Sequence, residues 1–102
     1  MTSTHHRGSI KYLGSLRGIG HLTIEGGVRE PSAITYEIDG FLDRARHFAA
    51  GQIEGDSAAL TRAFQAGHAR LTLDGGQQLD LVLLDPQGRR TAEVTVSGHF
   101  PL

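Results

Sequence analysis

Apolar and polar side chains alternate with a period of two along most of this chain. That period puts successive side chains on opposite faces, so it marks strands with one buried face. From Tyr12 to Ile24 the even positions read Tyr12, Gly14, Leu16, Gly18, Gly20, Leu22 and Ile24, against the odd Lys11, Ser15, Arg17, His21, Thr23 and Glu25. Three glycines on the inner face leave little side-chain volume. They predict a bend, a bulge or a close approach by another backbone, with a kink near Gly18-Ile19-Gly20.

The alternation recurs downstream. Ile34, Tyr36 and Ile38 alternate with Thr35, Glu37 and Asp39, and Asp39-Gly40 reads as the next turn. From Phe41 the pattern loosens, because Phe41 and Phe48 do not share a parity. A strand is predicted at about 45–54. Ala69, Leu71 and Leu73 form another inner face, closed by the turn Asp74-Gly75-Gly76. Leu79, Leu81 and Leu83 follow. Val82 and Leu84 make the other side of that strand apolar too, so it requires a cover: the helix, or a second subunit. Asp85-Pro86-Gln87-Gly88 reads as a β-turn with proline at its second position. Ala92, Val94 and Val96 then form the last inner face.

One segment departs from the period. Asp56 is a helix N-cap by type and position, and residues 57–66 carry good helix formers. Leu60, Ala63 and Phe64 make a narrow apolar stripe at i, i+3, i+4, and Gly67 stands where a left-handed C-cap belongs. A helix this short does not persist alone, so it must pack Leu60 and Phe64 onto the sheet.

The predicted fold is therefore α+β: six to seven mainly antiparallel strands in a barrel or sandwich, with one helix at about 57–66. The order is three strands, helix, three strands. Leu22-Thr23-Ile24-Glu25-Gly26-Gly27 resembles Leu71-Thr72-Leu73-Asp74-Gly75-Gly76, Ile34–Ile38 matches Leu79–Leu83, and the segment from Gly51 matches that from Val94. An internal duplication would produce this pattern. So would the recurrence of Leu-Thr strands and Gly-Gly turns in a chain with 14 glycines. The 102 residues fit one domain, residues 9–102, preceded by a polar tail at 1–8.

Composition bounds the function. There is no cysteine, which excludes disulfides, thiolate metal sites and cysteine nucleophiles. A net charge of −1 leaves no basic excess for phosphates, so nucleic acid is not the expected partner. No apolar run reaches membrane-span length and no signal-peptide core follows Met1, so a cytoplasmic chain is expected. Nine of the ten basic residues are arginine, with Lys11 the exception, which points to a GC-rich bacterial genome more than to selection for forked hydrogen bonds.

Chemistry-bearing motifs are scarce. The histidines His5, His6, His21, His47, His68 and His99 show no metal-ligand spacing, so no metal or other cofactor is expected. Glu37 and Asp39 share an outward strand face. Gly14–Gly20 is glycine-rich but lacks the lysine and helix start of a phosphate loop. No catalytic residues are recognisable. The leading expectation is a non-enzymatic binding or assembly module acting as a homo-oligomer, in the simplest case a dimer, with Val82 and Leu84 as packing residues. The alternative is a small-ligand-binding protein or enzyme with a pocket between helix and sheet, its polar contacts Tyr12, Tyr36 and His47.

Overall fold

The computed structural model describes residues 10–24 and 31–102. The expected tail at 1–8 and the Glu25-Gly26-Gly27 turn lie outside the described residues. The elements are β1 (Ile10–Thr23), β2 (Ser32–Asp43), β3 (Arg46–Gly55), α1 (Ser57–Gln65), β4 (Ala69–Thr72), β5 (Gln78–Leu83) and β6 (Thr91–Ser97). All strand neighbours are antiparallel, and they close into a barrel in the order β1-β2-β3-β6-β5-β4.

The inner faces are those the alternation marks. Ile34, Tyr36 and Ile38 of β2, Leu71 of β4, Leu79, Leu81 and Leu83 of β5, and Ala92 and Val94 of β6 are all buried. The helix crosses one end of the barrel between β3 and β4. Ala59 N–H donates to Asp56 Oδ2 at 3.0 Å, and Gly67 follows in the left-handed region at φ 92°. Leu60 and Ala63 are fully buried in the core cluster, whereas Phe64 stays 37% exposed. The helix therefore plugs the barrel end. It does not cover the outer side of β5, where Val82 is 40% and Leu84 57% exposed.

The two closing seams are unequal. β3 and β6 pair from Ala50↔Thr95 to Glu54↔Thr91. β1 and β4 pair only at His21↔Thr72, Leu22↔Leu71 and Thr23↔Arg70. Gly20 makes that short seam possible: a Cβ there would lie 2.3 Å from the Thr72 carbonyl oxygen. Away from the seam, β1, β2 and β3 run on beyond the barrel as a three-stranded sheet. From Ile10 to Gly20, β1 pairs with β2 alone among the described strands.

Local corrections follow from tertiary contacts. The irregularity in β1 falls between Tyr12 and Gly14, not at Gly18-Ile19-Gly20, and Gly14 sits there at φ 133°. Asp39-Gly40 is not a turn: β2 continues to Asp43, and the β2–β3 hairpin turns at Arg44-Ala45, with Asp43 opposite Arg46. The turn after β5 is shifted by one residue. Arg89 N–H donates to the Pro86 carbonyl at 2.9 Å, and Gln87 and Gly88 both have positive φ, the signature of a type I′ turn.

The three-strand, helix, three-strand order is present. The β2–β3 register maps onto β5–β6 without slip, since Ile38↔Gly51 and Tyr36↔Ile53 correspond to Leu83↔Val94 and Leu81↔Val96. The first hairpins do not map as well: Leu22 faces Ser32, whereas Leu71 faces Leu79.

Candidate functional site

The sheet that runs past the barrel has two unlike faces. On its outer face the register sets Tyr12 beside Phe41 and Phe41 beside Phe48, one aromatic ring per strand. The Tyr12 and Phe41 centroids are 5.8 Å apart and tilted by 56°; those of Phe41 and Phe48 are 5.2 Å apart and stacked at 21°. The three rings thus form one row across the strands, Phe41 stacked on Phe48 and tilted against Tyr12, a ridge on the outer face. Ile10, opposite Asp43, extends the ridge, and Ile10, Tyr12 and Phe48 are all exposed. A polar chain borders it: Tyr12 O–H donates to Ser15 Oγ, which donates to Asp39 Oδ1. Next along the strands, Arg17 pairs with Glu37 at 2.9 Å, an exposed ion pair of little energetic weight.

On the inner face the row Gly14–Gly40–Ala49 carries almost no side chain. The segment after β6 fills that space. Phe100 is buried with its ring directly over Gly40, where an added Cβ would meet Cε2 at 2.4 Å. Leu102 Cδ1 lies 3.3 Å from the Cβ position of Gly14. The glycines that the alternation flagged thus have distinct jobs: Gly14 and Gly40 seat this segment, and Gly20 seats the β4 backbone.

The three residues expected to line one pocket are not brought together. Tyr12 is on the outer ridge. Tyr36 points into the barrel and is buried, its hydroxyl accepting from Asp74 N–H and donating to Asp74 Oδ1, both at 3.3 Å. It pins the β4–β5 turn to the inside of β2, beneath Gly18. His47 has the inner-face parity of Ala49 but is exposed, because it pairs with Leu42 near the hairpin tip. The space between helix and barrel is occupied by Leu60 and Ala63. Shallow depressions do occur on the surface. One of about 380 Å³ is lined by Ile19, Thr35, Glu54 and Arg90 among others, and one of about 460 Å³ by His21, Thr23, Pro31 and Thr72. Neither contains the three expected residues.

Among the described residues no three of His, Cys, Asp or Glu are grouped to hold a metal ion, and no helix is long and apolar enough to cross a membrane. The stacked pair Phe41–Phe48 and the buried Phe100 are the features that sequence reading missed. The signal for the first was present: a two-residue hairpin at Arg44-Ala45 places Phe41 opposite Phe48.

No protein-family model matches the chain, and no curated protein or solved structure does either. The class is accordingly the one its own topology defines, a small antiparallel six-stranded barrel plugged by a helix at one end and extended as a sheet at the other.

Proposed function

We propose that this chain is a non-enzymatic binding or assembly module whose partner is a second copy of itself. The observation that carries the reading is the aromatic ridge on the outer face, lying beside a strand edge that runs unpaired from Ile10 to Gly20 among the described strands. A closed barrel normally removes its edges, and an edge of this length is a template for another strand. Antiparallel pairing of β1 with β1 of a copy closes about a two-fold axis and joins the two ridges into one wall. The net charge of −1 opposes such pairing only weakly and gives no footing for nucleic acid. Exposed aromatic side chains such as Tyr12 and Phe48 are the type enriched at protein interfaces.

Val82 and Leu84 offer a second, smaller apolar pair on the opposite wall. Sedimentation velocity at micromolar concentration separates the two surfaces. Wild type sediments as a dimer. A Tyr12→Lys/Phe48→Glu variant shifts to monomer, with at least ~10-fold weaker association. Val82→Thr/Leu84→Thr leaves the dimer intact. A wild-type chain that stays monomeric throughout, or dissociates only with the second variant, contradicts the assignment.

We infer also that the two halves descend from one duplicated three-stranded unit. The matching β2–β3 and β5–β6 registers support this, with a two-residue slip in the first hairpin. A half-length relative that forms the barrel as a dimer would support the duplication. A relative in which the two hairpin registers diverge further would count against it.

A further inference from the structure

The free edge of β1 has a self-complementary outer row. Its register with β2 sets Ile10, Tyr12, Ser15, Arg17 and Ile19 on the outer face, opposite Asp43, Phe41, Asp39, Glu37 and Thr35. Ile10, Tyr12 and Ile19 are each more than half exposed, and so is the Arg17 side chain. Leu13 is the extra residue of the irregularity before Gly14, so it shares a rung of the ladder with Tyr12. Counted in rungs, Ser15 is the midpoint of the stretch from Ile10 to Ile19. Ile10 and Ile19 lie equally far from it on either side, and so do Tyr12 and Arg17.

We propose, resting on the dimer reading above, that β1 of one protomer pairs antiparallel with β1 of its partner about a two-fold axis at Ser15, and that the partner's Arg17 seats against Tyr12 and completes each aromatic ridge. In that register Ile10 faces the partner's Ile19, Lys11 faces the partner's Gly18, Tyr12 faces the partner's Arg17, and Gly14 faces the partner's Leu16. No rung opposes two like charges, and both exposed isoleucines are covered. A guanidinium over an exposed ring is attractive, and so is an apolar pair directly across two strands. Neighbouring registers match less well. An axis at Gly14 sets Arg17 against Ile10 and leaves Ile19 bare. An axis at Leu16 puts Ile10 against His21, which β4 already engages through Thr72. An axis at Arg17 opposes two guanidiniums.

Oxidative cross-linking of the full chain reads the register, since there is no native cysteine. Directly opposed residues of antiparallel strands have Cα atoms about 4.5–5.5 Å apart, within reach of a disulfide. Ser15→Cys therefore links into a covalent dimer, and Leu16→Cys and Arg17→Cys link far more slowly. Ser15 also bonds Tyr12 and Asp39, so the paired variant Ile10→Cys/Ile19→Cys repeats the test at two exposed positions. Extended strand holds those two about 30 Å apart within one chain, so only a partner can join them. In sedimentation velocity Arg17→Gln weakens association about 10-fold. Glu37→Gln, which removes the same ion pair within the chain, leaves it unchanged. A wild-type dimer in which neither Ser15→Cys nor the isoleucine pair links, or which Arg17→Gln does not weaken, overturns the register and leaves the dimer reading standing. A wild-type monomer overturns both.

Discussion

The packing of Phe100 on Gly40 leads to a double-mutant cycle whose outcome is non-additive. Gly40→Ala alone puts a methyl 2.4 Å from Phe100 Cε2 and 2.9 Å from Cδ2, distances no real contact holds. The ring must lift, and overpacking of this kind costs about 1–3 kcal/mol. Phe100→Ala alone removes a ring that is 6% exposed and leaves its place empty, at about 3 kcal/mol, the low end for buried aromatics because the site lies at the margin of the core. In the double variant the new methyl enters the vacated space. Gly40 is not among the positive-φ glycines, so alanine adopts its backbone without strain. The second substitution then costs nearly nothing, and the two effects couple favourably by about 2 kcal/mol, well outside the ~0.5 kcal/mol within which independent sites add. Equilibrium urea unfolding of the four proteins measures the coupling. Additive behaviour would mean that the ring does not rest on Gly40.

Other substitutions test other parts of the barrel. Tyr36→Phe removes both hydrogen bonds to Asp74 and lowers stability by about 1–1.5 kcal/mol in urea unfolding; no loss would show that the β4–β5 turn is not pinned through the interior. Arg44→Gly relieves a left-handed residue at φ 60° in the β2–β3 hairpin and raises stability by about 1 kcal/mol in a thermal melt, whereas a lowered midpoint contradicts the turn geometry. A fragment of residues 1–55 contains β1–β3 but neither β6 nor β4 to close them, so circular dichroism shows it unfolded; a cooperative melt would disprove the dependence of one half on the other.

The parts of this fold that sequence reading recovered are those specified locally. Asp56 and Gly67 bracket the helix because a cap acts on the first or last turn alone. Asp74-Gly75-Gly76 closes the β4–β5 hairpin, with Gly76 N–H donating to the Leu73 carbonyl at 2.9 Å. Six antiparallel strands and one helix follow from such signals. The errors fall where a distant residue decides. Gly40 has the chemistry of a turn, yet it sits within a strand because the Phe100 ring needs the room. Arg44-Ala45 has no turn chemistry, yet it turns the chain because the flanking strands pair from both sides. That misreading separated Phe41 from Phe48 and hid the ridge. Val82 invited a cover that the helix does not provide, since α1 is drawn to the barrel end by Leu60 and Ala63. The pairing of Tyr12, Tyr36 and His47 failed for a related reason: the bulge before Gly14 moves Tyr12 to the outer face, and His47 lies near the hairpin tip.

Both faces of the sheet extension depend on β1 meeting β4 at one end only. Cross-strand nuclear Overhauser effects on a uniformly labelled sample probe that contact without any substitution. Backbone proton contacts joining His21, Leu22 and Thr23 to Thr72, Leu71 and Arg70, with none from residues 10–19 of β1 to β4, match the short seam. An intact β1–β2 and β4–β5 pattern without those contacts would mean an open sheet, with no barrel for the ridge-bearing sheet to extend.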